Sequence, residues 1–190
     1  SLHNRLRFPL AVVDAVAAAV KAHAKPDFIL GYRFSPEEPG EQGITMAETF
    51  ALVDALVQKP LQYLHVSLHD FYKKARRGAD TNRTRMALLH ERIAGRLPLI
   101  GVGNLYTGSD IAKAFDTGWA EFIALGKTVL INPDLADLVR DNRDADIQTD
   151  LDPTRADHYR LPDAIWQRCL TNSPWLSWLP PVKGMERKIV

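Results

Sequence analysis

An α/β fold built on a parallel sheet is predicted for this chain by three observations. Short apolar runs alternate with helix-length segments four times between residues 8 and 141. Successive runs start about 20–35 residues apart, the size of a strand–helix–strand unit. Glycine, proline, asparagine and aspartate punctuate the joins, as turn chemistry requires.

Each element follows from its residues. Phe8, Val12, Val13, Val16 and Val20 recur at helical spacing in an alanine-rich stretch, so a helix is expected there. Pro9 is comfortable only in a first turn, so the helix either starts near it or bends there. Residues 27–34 read as a buried strand between Pro26 and the breakers of residues 35–40. Residues 46–58 read as a helix with Met46, Phe50, Val53 and Val57 on one side. Residues 62–67 read as a strand, 68–80 as a polar loop, and 81–95 as a helix ended by Gly95. Residues 98–102 are the third strand, and 109–117 a short helix with Ser109 as its cap. Residues 120–125 are the fourth strand, and 134–141 a helix opened by Asn132-Pro133.

From Arg143 the character changes. Asp and Arg dominate to Arg160, and five of the twelve prolines and three of the four tryptophans lie from Pro153 onward. This reads as an appendage that packs Trp166, Trp175 and Trp178 on its own domain, an oligomer contact being the sharper alternative. The expected division is therefore 1–141 and 142–190.

Composition narrows the function. The 190 residues carry 24 Lys and Arg against 23 Asp and Glu, a formal charge of +1, which argues against nucleic-acid binding. No apolar run approaches the ~20 residues that cross a bilayer, so no membrane partner is expected. The one cysteine, Cys169, excludes an internal disulfide and a cysteine metal cluster, and suits a cytoplasmic compartment. No metal site is expected.

Parallel α/β proteins meet ligands at the carboxyl ends of their strands. After the third strand comes Gly101-Val102-Gly103-Asn104, and after the fourth Leu125-Gly126-Lys127. Glycine turns on consecutive strands describe a phosphate cradle, with Lys127 as charge partner. Purely steric glycine turns are the bland alternative. Arg33 near the carboxyl end of its strand needs an anionic partner, either a ligand or a structural carboxylate. His65 reads as a hydrogen-bonded core histidine, with His69 just beyond it. Lys73, Lys74, Arg76 and Arg77 read as a solvated basic loop, and Cys169 as a buried, inert thiol.

These residues carry a family resemblance. Ser1-Leu2-His3-Asn4-Arg5-Leu6-Arg7-Phe8 resembles the Gly-Gly-Ser-x-Glu-Asn-Arg-x-Arg-Phe signature of the Old Yellow Enzyme family, FMN-dependent ene-reductases and NADH:flavin oxidoreductases. Residues 28–35 resemble the family's fifth barrel strand, 63–67 the sixth, 100–103 the seventh and 122–127 the eighth. His3 stands where glutamate is usual, and Lys127 where arginine is usual. Lysine keeps the charge but loses the planar fork.

The resemblance implies the C-terminal half, strands five to eight, of a (β/α)8 barrel with an irregular, helical extension. A whole barrel typically needs ~250 residues. The implied cofactor is FMN, with NADH or NADPH as reductant and a small molecule with an activated C=C bond as acceptor. Arg33 matches the family arginine at the flavin ring, where positive charge tunes the cofactor. Val102, Gly103 and Asn104 match the backbone loop that holds the FMN phosphate, and Gly126 and Lys127 match its partner loop. No catalytic residue can be assigned, because the family's substrate pair and proton donor belong to the other half. The chain alone is expected to be inactive, or a phosphate- or FMN-binding module without turnover. An open half-barrel would also expose its inner face and two edges, so a homo-oligomer or pairing with the missing half is expected.

Overall fold

A computed structural model describes residues 1–171 and 180–185. Trp175 and Trp178 lie outside the described residues. The chain divides into two compact units: residues 1–104 with 114–124, and residues 105–113 with 125–190.

The first unit opens with helix α1, Leu2–His23, which has Pro9 inside it. It therefore starts well before that proline. Val13 is its one fully buried residue, with Leu6, Leu10, Ala17 and Val20 half-buried or close to it at helical spacing. Phe8, Val12 and Val16, whose spacing predicts the helix, are exposed, Phe8 by 77%. They form a second apolar stripe that no described residue covers.

Strand β1, Gly31–Phe34, is shorter than the sequence suggests. Phe28 and Ile29 are exposed by 51% and 67%, so this is not a buried strand over its full expected length. The reason is position: β1 is an edge with β2 as its one neighbour. Helix α2, Met46–Leu56, starts on a complete capping box between Thr45 and Glu48. It buries Met46, Leu52, Val53 and Leu56. Strand β2, Tyr63–Val66, leads to a loop that places Phe71 fully inside. Helix α3, Arg85–Ile93, is capped by Thr84 and ends on Ala94, which is left-handed at φ 51°, one residue before Gly95.

Strand β3, Leu99–Val102, helix α4, Gly108–Asp116, and strand β4, Phe122–Ala124, complete the series. The sheet is all parallel, in the order β1-β2-β3-β4. Its two faces differ. Phe34, Leu64, Val66, Leu99 and Gly101 share one face by alternation and are buried. Gly31, Arg33, Tyr63, His65, Ile100, Val102, Phe122 and Ala124 share the other, where none is fully buried and Phe122 is 57% exposed. Burying each leucine or valine of the closed face is worth roughly 1.5–3 kcal/mol.

In the second unit α4 is capped by Thr107, not Ser109. Thr107 Oγ1 accepts the Asp110 amide at 3.1 Å, and the Asp110 carboxylate accepts the Thr107 and Tyr106 amides. Helix α5, Lys127–Ile131, lies where the sequence suggests a loop. Helix α6, Leu135–Arg140, begins after Asp134. Asn132 closes α5 as its C-cap and does not cap α6; it clamps Gln148, taking that residue's amide at 2.8 Å and donating to its carbonyl at 2.9 Å. A short 3-10 turn, Asp144–Asp146, and helices α7, Ala156–Tyr159, and α8, Asp163–Leu170, follow. Trp166 packs as expected within this part of the chain, its ring centroid 5.8 Å from Tyr159 in a cluster with Ile131, Leu151, Cys169 and Val182. Cys169 is buried there.

Candidate functional site

The carboxyl ends of β1, β2 and β3 carry the polar residues of the open sheet face. Register pairs Arg33 of β1 with His65 of β2, and His65 with Ile100 of β3. Arg33 is exposed, and among the described residues its side chain makes no hydrogen bond and no ion pair. A partner is obligatory only for a guanidinium on a buried strand. An exposed one keeps its water and needs none.

His65 is not the hydrogen-bonded core histidine that its place in the sequence suggests. Its Nε2 is buried and has no hydrogen-bond partner among the described residues. Desolvation, followed by the charge of Arg33, holds the imidazole below its ordinary pKa. Two residues back along the same face, the Tyr63 ring occupies the space a Cβ on Gly31 would fill. Only glycine fits below that ring.

The turn after β3 is tightly specified. Gly103 sits at φ 132°, and a Cβ on it would lie 2.7 Å from the Asp70 carbonyl carbon and the Phe71 nitrogen. The Phe71 amide donates to the Gly103 carbonyl at 3.1 Å. The next residue, Asn104, is exposed and left-handed at φ 50°. The glycine requirement thus has a steric cause within the chain. Gly101 is equally constrained, since a Cβ there would meet Phe71 Cε2 at 2.6 Å.

Gly126 and Lys127 belong to the second unit, at the start of α5. Gly126 is exposed, and a Cβ on it would meet nothing within 4 Å. Thr128 Oγ1 anchors this turn on the Leu105 carbonyl at 2.6 Å.

The basic loop is less solvated than expected. Glu37, from the loop after β1, accepts the amides of Arg76 and Arg77 and the Nε of Arg85 at 2.5 Å. Arg77 itself donates to the Gly43 carbonyl at 2.7 Å. Lys73, Lys74 and His69 remain exposed. Charge spacing alone does not reveal this pin, because Glu37 and Arg85 are 48 residues apart.

The larger clefts lie elsewhere. One of about 510 Å³ is lined by Phe50, Asp54, Leu88, Glu91, Arg92 and Arg96 on the helical side. It contains none of the expected site residues. Arg33 and His65 stand on an open surface.

Comparison with known proteins agrees with this fold. The family described as NADH:flavin oxidoreductase / NADH oxidase matches residues 1–146. A protein named probable NADH-dependent flavin oxidoreductase YqiG, from Bacillus subtilis (strain 168), is 44% identical over 92% of this chain and 47% of its own length. An NADH:fumarate oxidoreductase from Klebsiella pneumoniae (strain 342) is 29% identical over 91% of this chain and 19% of its own. Among solved structures, morphinone reductase in complex with tetrahydroNAD matches with a TM-score of 0.53 and 29% identity. That match covers 75% of this chain and 35% of the other. The chain spans about half or less of the length of the curated relatives it matches.

Proposed function

Because the chain belongs to the NADH:flavin oxidoreductase / NADH oxidase family, of the Old Yellow Enzyme type, and has the fold of a partial (β/α)8 barrel, we propose that it is the flavin-holding half of an FMN-dependent oxidoreductase. The observation that carries this reading is Arg33: an exposed cation, without an anionic partner among the described residues, at the carboxyl end of a barrel strand. Such a residue fits an electron-rich ring edge, and the open face around it is free of carboxylates on the four strands.

The residues present fit the cofactor. Arg33 would hold the flavin ring by its pyrimidine edge. The backbone at Val102, Gly103 and Asn104 would take phosphate oxygens, with Gly103 fixing the turn. In the second unit, taken by itself, Gly126 would let backbone approach an anion, and Lys127 would add charge. When bound, FMN supplies two-electron hydride chemistry between NADH or NADPH and an activated C=C bond. The chain's own work is to bind, orient and neutralise. No side chain here is assigned a proton or a substrate contact.

A complementary half-barrel matters for turnover. The open face, the two sheet edges and the exposed stripe of Phe8, Val12 and Val16 are supports for a complementary half-barrel or a second copy of this chain. Among the described residues no helix is long and apolar enough to cross a membrane. The single cysteine, Cys169, is free and suits a reducing compartment, so we infer a cytoplasmic setting, with a small molecule as the second substrate. The second reading, a binding module without turnover, applies to the 190-residue chain by itself.

The test is reconstitution. The chain mixed with the preceding half of a family barrel is expected to oxidise NADH in the presence of an enone and FMN. The chain alone is expected to give no turnover. Enone-dependent oxidation by the chain alone would contradict the division of labour. No oxidation by the mixture, with both halves folded, would contradict the parent activity.

A further inference from the structure

We propose that His65 is a positioning residue for Arg33: an imidazole, where a carboxylate would form an ion pair, set across the strand pair so that the guanidinium charge stays uncompensated for an anionic ligand edge on the open face. This rests on the reading of Arg33 as the flavin-facing cation.

Three observations support it. First, Arg33 and His65 are register partners and share the open face. A carboxylate at that cross-strand place would pair with the cation, and here it finds an imidazole. Second, its register neighbours bring no compensating charge: they are Arg33 on β1 and Ile100 on β3, with Tyr63 two residues earlier on β2. Third, the His65 Nε2 is buried without a partner among the described residues, a costly arrangement that demands a reason. A purely structural histidine would be expected to hold a carbonyl or a carboxylate there.

The reason we assign is electrostatic. A carboxylate at position 65 would satisfy its neighbour and quench it. Ligand binding at Arg33 would then have to break a formed ion pair. An imidazole forms no such pair. Desolvation, then the adjacent guanidinium, disfavours its protonated form.

The experiment compares His65→Gln and His65→Glu in the 190-residue chain, with folding checked by circular dichroism. FMN binding is read by flavin fluorescence at pH 8. His65→Gln is expected to bind within about twofold of wild type. His65→Glu is expected to lose about tenfold or more, the usual worth of a charge-assisted contact. His65→Glu combined with Arg33→Ala is expected to be no weaker than Arg33→Ala alone. Equal binding by His65→Glu and His65→Gln, with Arg33→Ala weakened, would overturn the proposal and leave the flavin reading intact. No binding by wild type, or an unaltered Arg33→Ala, would instead count against the flavin reading. The proposal is then decided without flavin, by an NMR titration of the His65 ring. Arg33→Met is expected to raise its pKa, and an unmoved pKa would overturn the proposal.

Discussion

Glu37 and Arg85, 48 residues apart, meet at 2.5 Å with their side chains 1% and 8% exposed. The same carboxylate takes the amides of Arg76 and Arg77, so it ties the loop after β2 to the loop after β1. Both loops lie at the carboxyl ends of the strands, beside the proposed flavin face. Glu37→Ala would leave a buried guanidinium unpaired and two amides unsatisfied. A loss of about 3–5 kcal/mol is expected, read from urea midpoints. Combining it with Arg85→Met is expected to recover part of that loss, since the stranded charge is then gone.

Gly103→Ala is expected to destabilise the chain by roughly 2 kcal/mol or more and to weaken flavin binding together with stability. The added methyl would meet the Asp70–Phe71 peptide at 2.7 Å, from a φ of 132° that alanine resists. Backbone cannot swing aside as a side-chain tip can. Thermal melts with and without FMN separate the two effects.

Ala94→Gly is expected to stabilise by about 1 kcal/mol, because Ala94 closes α3 in the left-handed region at φ 51°. A glycine there carries no Cβ penalty. A higher melting temperature with unaltered flavin binding is the expected result.

Stability is expected to fall below pH ~6.5, in a window set by His65. Its folded pKa lies below the ordinary 6.5, so the unfolded chain takes the proton first as pH drops. The contribution is complete above 6.5 and is lost as pH falls through the folded value. Denaturation midpoints at about pH 8 and 5.5 measure it, and His65→Gln is expected to flatten the slope. The Thr45–Glu48 cap shifts its carboxylate downward as well, through the backbone hydrogen bond, but from 4.5 and so in a lower window.

Much of the fold was legible because each signal was local. The Thr45-x-x-Glu48 box, the alternation around Leu64 and the glycine turns after the strands are written in a few adjacent residues. The four parallel strands, in order, followed from them. What escaped was set by distant partners or by exposure. Phe28 and Ile29 have the composition of a buried strand, but an edge leaves them in solvent. Phe8, Val12 and Val16 have helical spacing, yet the packed side of α1 is the one through Val13. Thr107 rather than Ser109 caps α4, a choice decided by which hydroxyl stands three residues before an acceptor. At the site, Arg33 and the Gly103 turn were visible as residues, and the unpartnered Nε2 of His65 was not, since only the three-dimensional neighbourhood shows a missing hydrogen bond.

The most direct test of the flavin-holding role is an FMN titration of the 190-residue chain, wild type against Arg33→Ala, followed by flavin fluorescence. Saturable binding that Arg33→Ala weakens by about tenfold or more is the expected result. Binding that is absent, or indifferent to Arg33, would contradict it.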